Sequence, residues 1–210
     1  MLFATTGGIT YSVAEFNTII TMLGCLCATV QLSTGAYAAY KKKKVGLLKT
    51  NDALFRAHRA FGGFATTLYF LGLFAGVTGF IGAIIFNIPP FEGTDTSFNF
   101  HVWPSFAVAV VIIWKTYISY FKKPSIYKKK WLGIATFIAW AYTWITSAFS
   151  YYLRTIEPNL QHEPPRYLLP IELLWLQILI PFLMGSLISY FILKVANKLE
   201  LRKEQLATKK

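Results

Sequence analysis

Charged residues are scarce in this sequence, and acidic residues are the scarcest of them. Charged side chains make up 14% of the 210 residues, with 9 acidic residues against 21 basic ones. A soluble domain carries about 25% charged residues, so this composition excludes an ordinary globular protein in water. The hydrophobic share of 55% and the mean hydropathy of +0.46 instead indicate a protein of the lipid bilayer.

Cysteines and catalytic motifs are equally scarce. The two cysteines, Cys25 and Cys27, lie in one apolar run and cannot form the disulfide framework of a small secreted domain. We interpret them as lipid-facing or packing residues. The sequence contains no Gly-rich phosphate loop, no HExxH and no GxSxG motif. An independent enzyme is therefore not expected, and the chain is at most an electron-transfer subunit.

Five apolar windows are long enough to cross a bilayer, which takes about 20 residues. Asn51 or Asp52 can cap an early start of the second helix at Ala53. No internal repeat or linker divides the chain, so we expect a single integral membrane domain over residues 1–210. The predicted fold is an all-α bundle of five transmembrane helices, with helices 2 to 4 forming the core. The windows cover about residues 13–39, 60–86, 104–121, 131–153 and 170–193.

The basic residues predict the orientation of the bundle, because short loops rich in Lys and Arg stay on the cytoplasmic side. All of them except Arg154 and Arg166 fall between helices 1 and 2, between helices 3 and 4, after helix 5, or at Lys115. Lys115 is expected to snorkel towards that side. The N-terminus is thus predicted outside and the C-terminus in the cytoplasm, with Glu15 and Glu172 at the outer interface. Because the lysines lie between long apolar runs, the net charge of +12 does not indicate nucleic acid binding.

The sequence has three histidines, and the predicted topology places them at different depths. His58 lies at the inner start of helix 2, His101 at the outer start of helix 3, and His162 in the last outer loop. The first two are separated by about a membrane thickness, on the order of 30 Å. They cannot share one metal ion. If both are metal ligands, they belong to two centres near opposite faces.

A resemblance to a known family rests on two short segments. His58-Arg59-Ala60-Phe61-Gly62-Gly63-Phe64 is followed by a helix rich in small residues, and Phe100-His101-Val102-Trp103 opens the next helix. Over about residues 55–121 this resembles the transmembrane diheme b-type cytochromes that include the ascorbate-dependent ferric reductases. The resemblance implies haem b or a related tetrapyrrole, each of two haems being held by histidines from two helices. The pattern also resembles cytochrome-b-like proteins of oxygenic phototrophs, which implies an energy-converting membrane, the cell membrane or the thylakoid.

The sequence departs from that family where second ligands would lie. The family pattern places histidines at the outer end of helix 1 and the inner end of helix 4. The first position offers Tyr11, Glu15 and Asn17, and the second offers Lys130 and Trp131. One axial ligand suffices for a five-coordinate haem or a chlorophyll, whereas an electron-transfer haem normally has two. A complete electron-transfer path through two haems is therefore not expected.

The candidate residues have alternative interpretations. His58 and His101 are either metal ligands or interfacial side chains. Arg56 and Arg59 can pair with haem propionates or contact anionic lipid headgroups, and Gly62 can admit a flat ring or a neighbouring helix. His162 belongs to a polar loop or, with His101 and the acidic residues Glu92 and Asp95, to an outer copper or zinc site. An aromatic stripe on helix 4 can stack on a cofactor or simply pack; its members are Phe137, Trp140, Trp144 and Tyr151.

Two functions remain open at this point. The first is a b-type cytochrome-like subunit of a membrane redox or energy-converting complex, and the second is a cofactor-free accessory subunit that stabilises larger subunits. Both predict contact with the lipid bilayer and with other membrane subunits. A transporter or channel is disfavoured, because the sequence has no acidic residue or arginine near the bilayer midplane and no inverted repeat.

Overall fold

The computed structural model describes residues 13–41, 53–85, 96–122, 131–156 and 167–207, and every regular element in these ranges is helical. A single 3₁₀ turn, Ile171–Leu173, leads into the last helix. Within these ranges five helices are long and apolar enough to cross a membrane, which confirms the predicted all-helical fold and the predicted number of membrane-spanning helices. They are α1 Val13–Tyr40, α2 Ala53–Ile85, α3 Thr96–Phe121, α4 Trp131–Ile156 and α5 Leu174–Ala207.

Two helices begin earlier than the hydropathy windows alone predict. Helix α2 runs without interruption from Ala53, as the capping argument expects. Helix α3 begins at Thr96, so that Pro104 lies inside it. Proline has no N–H for the carbonyl four residues earlier, and the Phe100 carbonyl instead accepts the hydroxyl of Tyr142 at 2.5 Å. The proline is thus accommodated by a hydrogen bond from a neighbouring helix.

Helix α1 lies at the centre of the bundle. It packs against α2, α4 and α5, whereas α3 packs mainly against α4. The expectation that helices 2 to 4 form the core is therefore wrong. The physical reason is that α1 is rich in small side chains, which let neighbouring backbones approach closely where lipid provides no hydrophobic drive for association. The hydroxyl groups of its threonines form hydrogen bonds within the helix: Thr29 and Thr34 donate to the carbonyls of Cys25 and Val30 at 2.9 and 2.7 Å.

The two cysteines show how α1 contacts several neighbours at once. Both are buried, but Cys25 packs in a cluster with Trp144, Ala148 and Ile178, while Cys27 belongs to a different cluster that includes Trp140. Side chains two residues apart project to different sides of a helix. Of the two interpretations of the cysteines, packing is therefore confirmed.

Contacts between helices define the direction of each one. Along α1 and α2, Gln31 lies against Gly62 and Asn17 against Gly72, so these two helices are antiparallel. Helices α4 and α5 are also antiparallel, because Phe137 packs on Phe182 and Phe149 on Trp175. Tyr37 near the end of α1 bonds Asn197 of α5 at 2.7 Å. We call the end of the bundle at which α1 ends and α2 begins the basic end, because exposed lysines lie there: Lys41, Lys122, Lys194 and Lys198.

The outward faces of the peripheral helices are apolar. Large hydrophobic side chains are exposed along α3 and α5, and they suit contact with the acyl chains of a bilayer. They include Phe106, Val110, Ile113 and Trp114 on α3, and Trp175, Leu179, Leu183 and Tyr190 on α5.

Glu15 is not the exposed interfacial residue that its place in the sequence suggests. It is 2% exposed, and its Oε1 accepts the backbone N–H groups of Tyr167 and Leu168 at 2.9 and 3.4 Å. The segment before α5 has N–H groups that no regular element satisfies, and a buried carboxylate is a strong acceptor for them. Glu15 thus ties the start of α1 to the segment that precedes α5.

Replacing Glu15 with alanine is expected to lower the free energy of unfolding by about 2 kcal/mol, because the buried N–H of Leu168 and the part-buried N–H of Tyr167 lose a charged acceptor. Glu15→Gln keeps an acceptor oxygen and is expected to lose less than half as much. Thermal unfolding in detergent measures both variants, and amide hydrogen exchange at Leu168 reports the local effect. Equal losses in the two variants would contradict the acceptor role.

Candidate functional site

His58 lies in the first turns of α2, near the basic end, with its ring half-buried against α1. Its Nδ1 is 3.1 Å from the hydroxyl oxygen of Thr34. The ring lies so close to α1 that a Cβ at Gly35 would be 3.0 Å from Cε1 of His58. A glycine at this position therefore lets the imidazole rest against the backbone of the central helix.

The protonation of this ring follows from the hydrogen bonds of Thr34. A hydroxyl has a single hydrogen, and that of Thr34 is directed to its own helix, at 2.7 Å from the Val30 carbonyl and 3.2 Å from that of Gln31. With its hydrogen used in this way, the threonine oxygen acts as an acceptor towards the imidazole. We therefore assign the hydrogen of the neutral His58 ring to Nδ1, with the lone pair on Nε2.

His101 repeats this arrangement at the other end of the bundle. Its Nδ1 is 3.1 Å from the hydroxyl oxygen of Thr146 on α4, and Thr146 donates its own hydrogen to the Tyr142 carbonyl at 2.8 Å. The same reasoning places the hydrogen of His101 on Nδ1. Metal-ligating histidines in proteins almost always donate their other ring N–H to a carboxylate, a backbone carbonyl or water. Here a threonine hydroxyl occupies the position of that acceptor at both rings.

The two histidines are far apart along the bundle. The hydroxyl of Tyr69 donates to the Ser105 carbonyl at 2.8 Å, so these two residues share one level. His58 lies eleven residues from Tyr69, and His101 lies four residues from Ser105 in the opposite direction. At about 1.5 Å per residue the histidines are about 20 Å apart along the axis. The structure does not bring them together.

The described part of the chain contains no group of three or more His, Cys, Asp or Glu side chains that could hold a metal ion. Glu15, a candidate at the start of α1, is committed to Tyr167 and Leu168. His162 lies outside the described residues, as do Glu92 and Asp95. Each of the two imidazoles could supply one ligand to a metal-centred group.

The other predicted site residues lie on α2 near His58. Arg56 and Arg59 are exposed, and Nε of Arg59 donates to the Phe55 carbonyl at 3.3 Å. Gly62 is buried against α1, where a Cβ would lie 2.2 Å from the side-chain nitrogen of Gln31. Gly62 therefore accommodates a side chain of the central helix, which favours the packing interpretation over a flat face for a cofactor ring.

The aromatic stripe of α4 also packs within the protein. Trp140 and Trp144 are fully buried, and Trp140 meets the ring of Tyr69 edge-on at 5.5 Å. Phe137 packs edge-on against Phe182 of α5 at 6.1 Å. These contacts favour helix packing over cofactor stacking for this stripe.

Lys115 is the site residue that the sequence interpretation missed. It does not snorkel to the basic end: it is 9% exposed, and its ammonium donates to Oε1 of Gln31 at 2.6 Å. The reason is that Lys115 faces α1 across the interior of the bundle, where a polar acceptor is already in place. The signal in the sequence is a lysine six residues inside an apolar window, but its partner is 84 positions away.

No family model matches this chain, and neither a curated protein nor a solved structure is significantly similar to it. Its function is therefore argued from the geometry of its own residues.

Proposed function

We propose that this chain is a membrane-embedded, b-type cytochrome-like subunit of a redox or energy-converting complex. In this proposal His58 and His101 would hold haem b or a related tetrapyrrole. The observation that supports it is the repeated pairing of a histidine Nδ1 with a threonine whose own hydrogen is used within its helix. With the ring hydrogen assigned to Nδ1, Nε2 is the atom of each ring that would coordinate a metal.

The residues of the chain would bind and orient the tetrapyrrole, which supplies the one-electron chemistry when bound. The threonine hydrogen bond holds each imidazole in one orientation and raises its basicity as a ligand. Arg56 and Arg59 are exposed on the same turns of α2 as His58, so their guanidinium groups can pair with carboxylate substituents of the ring.

The orientation completes the proposal. Loops and helix ends rich in Lys and Arg stay on the cytoplasmic side of a membrane. The basic end of the bundle therefore faces the cytoplasm, and the N-terminus faces outwards. His58 then lies in the cytoplasmic half of the bilayer and His101 in the outer half. The membrane is an energy-converting one, the cell membrane or the thylakoid.

An optical spectrum of the purified protein tests the proposal. Protein from cells supplied with iron and a tetrapyrrole precursor is expected to show tetrapyrrole absorption that changes on reduction if the metal is iron. His58→Ala and His101→Ala each remove one part of the absorption, and the double variant removes all of it. Wild-type protein without any tetrapyrrole, in the spectrum and in the solvent extract, would contradict the proposal.

Substitution of Thr34 tests whether its hydrogen bond to His58 supports tetrapyrrole binding. Thr34→Val removes the acceptor for Nδ1 and is expected to lower tetrapyrrole affinity about 10- to 100-fold, as loss of such a partner does at metal sites. Thr34→Ser keeps a hydroxyl and is the matched control. Pigment content at limiting tetrapyrrole measures the difference, and identical content in the two variants would show that the Nδ1 contact has no role.

The alternative function is a cofactor-free accessory subunit. Two observations support it. Protein side chains occupy the space beside the glycines of the α1–α4 and α1–α2 contacts, Trp140 at Gly24 and Gln31 at Gly62. The outer faces of α3 and α5 are also apolar. It predicts a colourless protein whose His58→Ala variant changes stability but no spectrum. The same purified wild-type sample therefore decides between the two functions.

A further inference from the structure

A lysine in the interior of a membrane bundle requires an explanation of its own. Lys115 lies about 9 Å along α3 from Phe121, and Gln31 lies about 14 Å along α1 from Tyr40, at about 1.5 Å per residue. Both helices are candidate membrane spans. The ammonium and its acceptor are thus placed at the depth of the acyl chains, where ionisable side chains are costly and mark functional sites.

The described residues do not balance the charge of Lys115. Its ammonium has three N–H donors, of which one is directed to the neutral Oε1 of Gln31 at 2.6 Å. Glu15 is bonded to Tyr167 and Leu168, at the opposite end of the bundle from Lys115. A buried ammonium without an anionic partner is strongly unfavourable. The remaining donors therefore call for an acceptor that carries negative charge.

The N–H donors at Lys115 determine which kind of anion can bind there. The side-chain nitrogen of Gln31 packs against Gly62, so Gln31 positions the ammonium through Oε1, and the two remaining N–H donors of Lys115 can each bind one oxygen of the same anion. A carboxylate has two such oxygens and accepts charge-assisted hydrogen bonds from both donors. The side chains of Phe64 on α2 and Trp114 on α3 are exposed on the helices that carry Gly62 and Lys115. An apolar tail can lie against them in the bilayer.

We propose that Lys115 and Gln31 form a membrane-embedded binding site for a carboxylate on an amphiphilic molecule. The carboxylate has two available sources: a substituent of the tetrapyrrole proposed at His58, or a free fatty acid of the bilayer. The site itself depends only on Lys115 and Gln31. The site can therefore be tested independently of the proposed function.

Binding of a fatty acid and of its uncharged ester tests the site. The full chain, purified from tetrapyrrole-deficient cells and placed in nanodiscs of phosphatidylcholine, is titrated with a fluorescent polyene fatty acid and with the methyl ester of the same acid. The acid is expected to bind about tenfold more tightly or better. Lys115→Gln abolishes this preference, whereas the control Lys194→Gln, at an exposed lysine of the basic end, preserves it. Equal affinities for acid and ester in the wild type, or an unchanged preference in Lys115→Gln, would overturn the proposal.

A second variant covers the case in which Lys115→Gln does not fold. Gln31→Glu places a carboxylate of the protein where Oε1 of Gln31 now accepts from Lys115. This variant is expected to unfold at a higher temperature than the wild type and to lose the preference for the acid, because its own carboxylate occupies the site. A Gln31→Glu protein that still prefers the acid by the wild-type factor would also overturn the proposal.

The source of the carboxylate is decided by comparing two preparations. If the tetrapyrrole supplies it, fatty acid binds selectively only to protein from tetrapyrrole-deficient cells, and Lys115→Gln lowers the pigment content of the loaded protein. If a lipid supplies it, both preparations show the same preference. A protein that binds the acid selectively but contains no tetrapyrrole would contradict the proposed function and support this site.

Discussion

Replacing Trp144 with alanine is expected to lower the free energy of unfolding by about 3–5 kcal/mol, the usual loss for truncating a buried aromatic side chain. Trp144 is 0% exposed and lies where α1, α4 and α5 meet, packed with Cys25, Ala148 and Ile178. Its neighbours belong to rigid helices and cannot close the space that alanine leaves. The lost contacts are van der Waals contacts, the main source of helix association in a membrane.

The hydrogen bond of Trp144 contributes separately from its packing. The indole N–H donates to the Ile178 carbonyl on α5 at 3.0 Å. Trp144→Phe keeps most of the ring but loses this donor, so a loss of about 1–2 kcal/mol is expected. The difference between the alanine and phenylalanine variants then measures the packing part.

The matched control is Trp131→Ala, at the start of α4. Trp131 is 55% exposed, so its truncation is expected to change stability by less than about 1 kcal/mol. Unfolding by denaturing detergent, followed by helical circular dichroism, compares the three variants with the wild type. Similar losses at Trp144 and Trp131 would contradict the assignment of Trp144 to the core.

The second large effect is expected from adding one methyl group at Gly24. A Cβ at this position would lie 2.0 Å from Cη2 of Trp140, far inside contact distance. The indole ring is 1% exposed and pressed between α1 and α4, so it cannot move aside without displacing a helix. Overpacking of a core costs about 1–3 kcal/mol and occasionally more. We expect Gly24→Ala to reach or exceed the top of that range.

Two further variants test whether this loss comes from the contact with Trp140. Gly63→Ala on α2 adds a methyl group where nothing lies within 4 Å, so it is expected to be neutral or to stabilise the helix by up to about 1 kcal/mol. The three atoms nearest to the added Cβ, Cη2, Cζ3 and Cζ2, belong to the six-membered ring of the indole. Trp140→Phe is smaller there and is expected to restore part of the stability of Gly24→Ala. Additive losses in the double variant would show that the two sites are not coupled.

The helices could be predicted from the sequence because each one is a local property. About 20 consecutive apolar residues must form a helix in lipid, since every backbone polar group has to be satisfied within the segment. The early start of α2 at Ala53 was also predictable, because the capping residues are its neighbours in the chain. The start of α3 at Thr96 was not, because Pro104 is compensated by Tyr142 of another helix.

The candidate histidines were predictable as isolated residues, but their surroundings were not. His58 and His101 were identified from their positions at helix starts. Their partners, Thr34 and Thr146, are 24 and 45 positions away in the sequence, and no local pattern connects them. Hydropathy describes how well a segment suits lipid and contains no information on which side chain of another helix lies beside it.

Composition and the spacing of apolar residues by themselves determined that this is an all-α protein with five helices able to span a membrane. The tertiary structure decided what lies at the centre: α1 rather than helices 2 to 4, with Glu15 buried and Lys115 directed inwards to Gln31. Hydropathy depends on transfer from water to lipid, which each helix satisfies alone. The order of the helices depends on the fit of one surface to another, such as Trp140 into the space at Gly24, and this fit exists only once the helices are assembled.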